Sequence, residues 1–226
     1  MTAAERGLWL RDAGHRDDLA VFAERAQRLD PAAVVRLRQR PSGLLAAWVA
    51  TGFDVLASRV VGGRIRPADL SAGADALLRG LAAMTPDGFV DPGFAMDSAW
   101  RGVLPPEAGF AHLDDVPARV VLDLAQRGTS LAKQHSGAHG PPTSLLDQDV
   151  LNVTAGGQTV GIPMRCVFAL TAMGFLPQSP ASEDFAPESV GSGEVVRIRL
   201  TAAWLRIDAR FGSVYRRRGD PAVVLR

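Results

Sequence analysis

Apolar residues recur every three or four positions over residues 16–29, with charged residues between them, and this pattern predicts an amphipathic helix. Pro31 follows and predicts where the helix ends. Helical patterns also occur in three later segments, 71–84, 114–134 and 163–175. Almost every residue of the last segment is apolar, so we expect that helix to be buried on most sides.

Alternating apolar and polar residues predict strands over 33–40, 44–50, 53–61, 150–154, 158–162, 194–200, 202–210 and 213–218. Short turns join the first three, and Gly62-Gly63 closes the third, so we expect an antiparallel meander. A glycine turn joins the next two strands into a hairpin. The last three form a second meander, and residues 223–225 are predicted to add a short edge strand.

Proline and glycine interrupt these patterns from residue 85 to residue 113, yet large apolar residues lie between them. A flexible linker would not carry so many large apolar side chains. We therefore expect an ordered loop that packs on the core, and loops of this length are often functional. The large residues are Phe89, Phe94, Trp100, Leu104 and Phe110.

Together these elements predict an α+β fold in which antiparallel β-meanders are packed with helices. We divide the chain into an N-terminal half, 1–90, with a helix, a three-stranded meander and a helix, and a C-terminal half, 91–226. The second half holds a helix, the hairpin, the buried helix and the C-terminal meander. The predicted core contains Phe22, Val35, Leu37, Trp48, Leu124, Phe168 and Leu170.

The two meanders share a short sequence pattern. Residues 34–38 read VVRLR and residues 195–199 read VVRIR, and Ala-Ala-Trp follows each of them, ending at Trp48 and Trp204. Two interpretations are open. Amphipathic strands of an arginine-rich chain are alike by chance, or the halves are pseudo-repeats whose meanders have the same strand order.

The composition, with 47% hydrophobic and 22% charged residues among 226, is that of a folded globular protein. The single cysteine, Cys166, excludes an internal disulfide and a set of thiolate zinc ligands. The first residues lead into no apolar run of a secretory signal. The longest apolar stretch, 166–173, is far shorter than the roughly 20 residues that a membrane-spanning helix needs. We expect a soluble, cytoplasmic protein with no membrane partner.

The formal net charge of +1 gives no overall signal for nucleic acid or membrane binding. Lys133 is the only lysine, so 24 of the 25 basic residues are arginine. Codon usage in a GC-rich genome explains this bias. A requirement for bidentate contacts with phosphate or carboxylate would explain it too, and composition does not decide between the two.

No established catalytic or cofactor motif is present. The glycine pairs lack the spacing of a P-loop or of a dinucleotide-binding loop, and Gly-x-Ser-x-Gly does not occur, so we expect no cofactor. His135 and His139 have the spacing of metal ligands on a helix, with Asp147 and Asp149 nearby. Glycines and prolines favour a loop there, so we expect no bound metal. Cys166 is interpreted as an inert core thiol.

Two groups of residues are candidate binding sites. In the long loop, Asp97, Trp100 and Arg101, with His112 further on, have side chains suited to a small polar ligand, although anchoring of the loop by Trp100 is a simpler interpretation. The C-terminal strands carry a cluster of basic residues, Arg210, Arg216, Arg217 and Arg218. Arginines and aromatic rings on one sheet face are typical of surfaces that bind single-stranded nucleic acid, and a solvated face balanced by acids is the alternative.

Three segments resemble a family of uncharacterised proteins of high-GC Gram-positive bacteria: GHRDDLAVF at 14–22, PMRCVFAL at 163–170 and ARFGSVY at 209–215. The resemblance spans most of the chain. It implies no activity and no catalytic residues. It agrees with a cytoplasmic location and with the codon explanation of the arginines.

The leading hypothesis is therefore a binding or regulatory module without catalytic machinery. Its partner is expected to be a protein or an anionic molecule, with nucleic acid as one candidate, and self-association is left open. The alternative is a small-molecule enzyme, of acyl-transfer or hydrolytic type, with a site in the 94–112 and 135–149 loops. An enzyme predicts a pocket with convergent polar groups, whereas a binding module predicts a basic or apolar surface patch.

Overall fold

The computed structural model describes residues 6–135, 142–155, 157–177, 191 and 193–219. The fold is α+β with antiparallel strands, as predicted. The chain divides into unit 1, Met1–Gly52 with Leu56–Leu104, and unit 2, Phe53–Val55 with Pro105–Arg226. The boundary lies in the long loop, beyond the residue 90 at which the sequence patterns divide the chain.

The described part of unit 1 contains β1 (Gly7–Leu10), α1 (Ala13–Leu29), β2 (Val34–Arg40), β3 (Leu44–Ala50), β4 (Leu56–Arg66), β5 (Asp69–Gly73), α2 (Ala74–Ala82) and β6 (Phe89–Val90). Its antiparallel sheet has the order β5-β2-β3-β4-β1-β6. Helices α1 and α2 pack on each other. They cover one face of the sheet, where alternate side chains such as Val35, Leu37 and Leu45 are fully buried.

The described part of unit 2 contains β7 (Ala111–Pro117), α3 (Ala118–His135), α4 (Thr143–Leu146), β8 (Asp149–Ala155), β9 (Gln158–Pro163), α5 (Met164–Ala172), β10 (Val195–Leu200), β11 (Trp204–Ala209) and β12 (Gly212–Arg217). Strands β7-β10-β11-β12 form one antiparallel sheet, and β8 pairs with β9 as the predicted hairpin. Helix α5 packs on α3. Every residue from Met164 to Thr171 is buried, as its composition predicts.

Three strands at the starts of helices escape the sequence patterns. β1 was not predicted, the segment 71–84 begins with the end of β5, and the helix predicted over 114–134 begins only at Ala118 because β7 pairs with β10 up to Pro117. Gly62-Gly63 does not close β4, which continues to Arg66. A Cβ atom at Gly63 would lie 2.5 Å from the Trp9 carbonyl oxygen, so glycine permits the close approach of β1.

The meanders β2-β3-β4 and β10-β11-β12 have the same order and are both antiparallel, which supports the pseudo-repeat interpretation. In each unit, moreover, two helices directly follow strands: α1 and α2 in unit 1, α3 and α5 in unit 2. The Ala-Ala-Trp segments are not equivalent, since Trp48 lies opposite Arg36 of the first meander strand and Trp204 opposite Arg217 of the last.

The predicted core is confirmed for six of its seven residues, Leu124 of α3 being half-buried. The structure describes the whole of the long loop, but its apolar residues do not all pack on the core, since Phe94 is 92% exposed. Polar contacts hold this loop instead. Ser71 of β5 donates its N–H to Asp97 and accepts a hydrogen bond from the Met96 N–H, and Arg6 donates to the Gly93 carbonyl. These bonds attach residues 93–97 to unit 1.

Candidate functional site

Five arginines lie on the face of the unit 1 sheet that points away from the helices. Arg59 of β4 pairs with Asp18 of α1, so its side of the sheet faces the helices, and side chains of opposite parity face away. The register of the strands places Arg36, Arg38, Arg40, Arg64 and Arg66 on that outer side. We call these five residues the arginine face.

Three contacts fix the orientation of arginines on this face. Arg36 donates from Nε and Nη2 to the two oxygens of Asp69, at 2.8 and 2.7 Å, and this hydrogen bonding raises the pKa of the Arg36 guanidinium. Arg38 Nε lies 3.3 Å from the same carboxylate. Arg64 stacks over the indole of Trp9, with 4.2 Å between its guanidinium carbon and the ring centroid. These side chains are therefore held in place before any partner arrives.

The helices of unit 1 carry no comparable charge. Helix α1 has three arginines and three acidic residues, and α2 has Asp75 with Arg79. Several of these charges pair with each other at i,i+4 spacing, as Arg28 does with Glu24 and Arg79 does with Asp75. By contrast, Asp69 is the only acid among the described strands of unit 1. Of the ten arginines on the described helices and strands of unit 1, five lie on the outer side of the sheet.

The outer face of the unit 2 sheet also carries arginines, but acidic residues of the same unit contact more of them. Four of them alternate on β10, β11 and β12: Arg197, Arg199, Arg206 and Arg217. Asp208 contacts both Arg199 and Arg206, at 3.1 and 2.6 Å. The aromatic rings beside them, Trp204 and Tyr215, are only 9% and 7% exposed. They are therefore not open platforms on which bases could stack.

The structure separates the predicted C-terminal arginines. Arg210 precedes β12 and pairs with Glu194 at 3.0 Å, whereas the other three lie at the far end of that strand, about 20 Å away at 3.4 Å per residue. Arg217 is exposed on the outer face. Arg216 lies on the opposite side, 3.6 Å from Asp147, and Arg218 donates to the Thr201 carbonyl. The four side chains do not form one patch.

Arg216 and Arg218 line a pocket of about 240 Å³ in unit 2, together with Asp149 and Thr159. A second, shallower pocket of about 300 Å³ lies at one end of the arginine face, lined by Trp9, Arg64 and others. Either pocket is basic, and neither contains the histidines or the loop residues proposed as a ligand site.

The residues proposed to bind a small ligand have structural contacts. Asp97 accepts the Ser71 N–H at 2.6 Å, and Trp100 donates its indole N–H to Gly102 while Arg36 lies 5.8 Å from its ring centroid. Arg101 is exposed. These three belong to unit 1. His112 belongs to unit 2, where its Nε2 lies 2.9 Å from Asp115 on the surface.

Sequence patterns did not identify a cluster of ion pairs around the buried Arg165 in unit 2. Arg165, in the first turn of the apolar helix α5, donates to the Phe53 carbonyl and to Asp147 and lies 3.7 Å from Asp54. Asp147, a candidate metal ligand in the sequence, is a partner of this arginine instead. A lone charge within an apolar run was the available signal, because buried charges are almost always paired.

Within the described residues, neither a reactive thiol nor a cluster of metal ligands is present. Cys166 is buried, and burial raises the pKa of its thiol to about 12, so the thiolate is scarce at neutral pH. A group of three or more His, Cys, Asp or Glu side chains able to hold a metal ion does not occur in the described ranges, and His139 lies outside them. No helix in those ranges is long and apolar enough to cross a membrane.

Solved structures with a similar fold are bacterial sliding clamps of DNA polymerase. A DNA polymerase III β subunit from Caulobacter crescentus matches with a TM-score of 0.54 at 14% identity, over 98% of this chain and 69% of that one. The clamp from Bacillus subtilis gives 0.55 at 10% identity, over 99% and 68%. The clamp from Pseudomonas aeruginosa gives 0.53 at 12% identity, over 95% and 64%. The chain thus shares their fold and spans about two thirds of their length.

No curated protein sequence matches the chain. Two family models do match. Residues 3–102 fit a domain of unknown function, DUF8010, and residues 105–221 fit a second domain of unknown function, DUF8185. The two matches meet at residues 103–104, where the structure also divides unit 1 from unit 2. The chain belongs to the DUF8185 family, and the DUF8010 model matches the residues that precede this domain.

Proposed function

We propose that this protein is a non-catalytic binding module that holds DNA on a sliding-clamp fold. The observation that carries the proposal is the fold likeness to a DNA polymerase III β subunit and to DNA polymerase sliding clamps, which extends over 95–99% of the chain. The concentration of arginine on sheet faces supports an anionic partner, because arginine binds phosphate with two parallel hydrogen bonds.

The remaining sequence predictions fit within this proposal. A cytoplasmic location would bring the protein together with a partner such as DNA. An origin among high-GC Gram-positive bacteria stays a prediction. Self-association also stays a prediction, with two family domains in one chain. A small-molecule enzyme receives no specific support, because Asp97, Trp100 and His112 make the structural contacts described above.

The purified full-length protein is expected to bind a fluorescently labelled duplex DNA at low salt, with little dependence on sequence. Contacts with phosphates release counterions, so the logarithm of affinity should fall linearly with the logarithm of salt concentration, by about 0.9 for each phosphate contacted. Fluorescence anisotropy at several salt concentrations measures this slope. Absence of binding at about 50 mM salt, where such contacts are strongest, would reject the proposal.

The C-terminal arginines keep their predicted role as a hypothesis within this proposal. If Arg216, Arg217 and Arg218 contact phosphates, the variant R216A/R217A/R218A should lose up to about three units of salt slope. Arg210 is left unchanged because Glu194 already pairs with it. Arg216 lies 3.6 Å from Asp147, so its replacement also removes a contact within the chain. The single variant R217A changes only the exposed position and is therefore the control for folding. An unchanged slope in a folded triple variant would remove these residues from the interface.

A further inference from the structure

We propose that the pocket lined by residues of β8, β9, β11 and β12 in unit 2 binds a small zwitterion, a molecule with adjacent ammonium and carboxylate groups such as a free α-amino acid. The volume of the pocket, about 240 Å³, lies below the roughly 300–1,000 Å³ of pockets that hold drug-sized ligands, so its ligand is small. Such a ligand goes beyond the proposed binding of DNA and does not depend on it.

Arg216 and Arg218 provide the positive charges of this pocket. Nε of Arg216 has no hydrogen-bond partner within the described residues, and its Nη2 lies 3.6 Å from Asp147, which is longer than a hydrogen bond. Arg218 donates from Nη1 to the Thr201 carbonyl at 3.3 Å. Both guanidinium groups therefore retain N–H donors for a carboxylate, the anion that arginine binds with two parallel hydrogen bonds.

Asp149 provides a negative charge in the same pocket. A Cβ atom at Gly161 of β9 would lie 2.0 Å from Asp149 Oδ2, so the glycine leaves the space that this carboxylate occupies. Among the residues that the structure describes, Asp149 forms no ion pair, either with Arg216 and Arg218 or with another cation. Opposite charges that line one small space without contacting each other leave room for a molecule that contacts both.

The charges around the pocket are balanced, and this favours a zwitterion over a simple anion. In the described part of unit 2, three arginines lie in or beside the pocket with three aspartates: Arg165, Arg216, Arg218, Asp54, Asp147 and Asp149. A phosphate would bring an uncompensated negative charge close to Asp149, and the two would repel each other. A zwitterion adds no net charge, with its carboxylate at the arginines and its ammonium group at Asp149.

The rest of the lining suits an apolar side chain on the ligand. Val160 and Leu205 line the pocket and are only 6% and 3% exposed. The hydroxyl of Thr159 lies 2.8 Å from that of Thr154, so it is already hydrogen-bonded within the hairpin. Apolar walls with a few charged groups that fix orientation are typical of small-molecule sites. L-leucine has both charges and a small apolar side chain, and it is therefore the probe for the test.

Saturation-transfer NMR of the full-length protein should show saturable binding of L-leucine. N-acetyl-L-leucine lacks the ammonium group and L-leucinamide lacks the carboxylate, so each should bind about tenfold or more weakly, because hydrogen bonds to charged groups contribute most of the affinity. R218Q should weaken the binding of leucine by a similar factor. R217Q is the matched control, because it removes the same charge from the neighbouring residue, which does not line the pocket.

The Asp149 variant tests the ammonium contact and also controls for misfolding. D149N should bind leucine about tenfold more weakly but N-acetyl-L-leucine more tightly than the unaltered protein does, because the repulsion of its carboxylate is removed. A misfolded variant would lose both ligands. Absence of leucine binding at millimolar concentration would reject the proposal. Equal affinity for leucine and N-acetyl-L-leucine would also overturn it, and so would equal losses in R217Q and R218Q. None of these results depends on whether the protein binds DNA.

Discussion

Replacement of Phe168 by alanine is expected to lower the free energy of unfolding by about 3–5 kcal/mol. Phe168 lies in the middle of α5 and is 8% exposed. Its ring centroid is 6.0 Å from that of Phe53, and its edge approaches α3 at Gly128. Truncation removes this buried surface and leaves a cavity between two helices. Close packing of the surrounding side chains prevents the cavity from collapsing. Denaturant unfolding followed by circular dichroism measures the loss.

A matched substitution on the neighbouring helix tests whether burial is the cause. Leu131 of α3 is 46% exposed, so L131A should change the free energy of unfolding by less than about 0.5 kcal/mol. Comparable losses for F168A and L131A would mean that α5 does not lie where the structure places it. Because the chain has two units, denaturant unfolding need not be a single transition. The change in free energy is therefore measured on the transition that F168A shifts.

The parts of the fold that could be predicted from sequence are those with a long periodic pattern. The alternation of Val35 and Leu37 with arginines predicts both a strand and the face that it buries. The nearly all-apolar sequence of α5 predicts its burial in the same way. In each case the side chains that define the element also form the core, so that local pattern and tertiary packing agree.

The missed strands have a different physical origin. Residues of β1 read GLWL and those of β5 read DLSAG, and neither alternates over enough positions to predict a strand. Each is defined by pairing with a partner distant in the chain, as β1 is with the end of β4. Asp114 and Asp115 are typical helix caps, but pairing with β10 keeps them in a strand. Tertiary contacts decided these elements.

The candidate sites show a similar division. Alternation along a strand was sufficient to predict that Arg36 and Arg38 share a face. By the same rule the consecutive residues Arg216 and Arg217 of β12 point to opposite sides of their sheet. The pairing of Arg210 with Glu194 could not be predicted, because sixteen residues separate them. A cluster of charges in a strand sequence therefore predicts a common surface only for those residues that point to the same side of the sheet.

Replacement of Gly80 by alanine is expected to destabilise unit 1 by about 1–3 kcal/mol, although alanine in a helix is normally favoured over glycine by about 1 kcal/mol. A Cβ atom at this position of α2 would lie 1.9 Å from the Asp91 carbonyl oxygen. The backbone at residue 91 cannot easily move away, because hydrogen bonds hold the following residues, 93–97, on unit 1.

Gly128 of α3 is the control. Its added Cβ would meet the end of the Met164 side chain at 2.7 Å, and a thioether can move by rotation. G128A should therefore stay within about 1 kcal/mol of the unaltered protein in denaturant unfolding. If G80A were as stable as G128A, or more so, α2 would not pack against residue 91 as the structure shows.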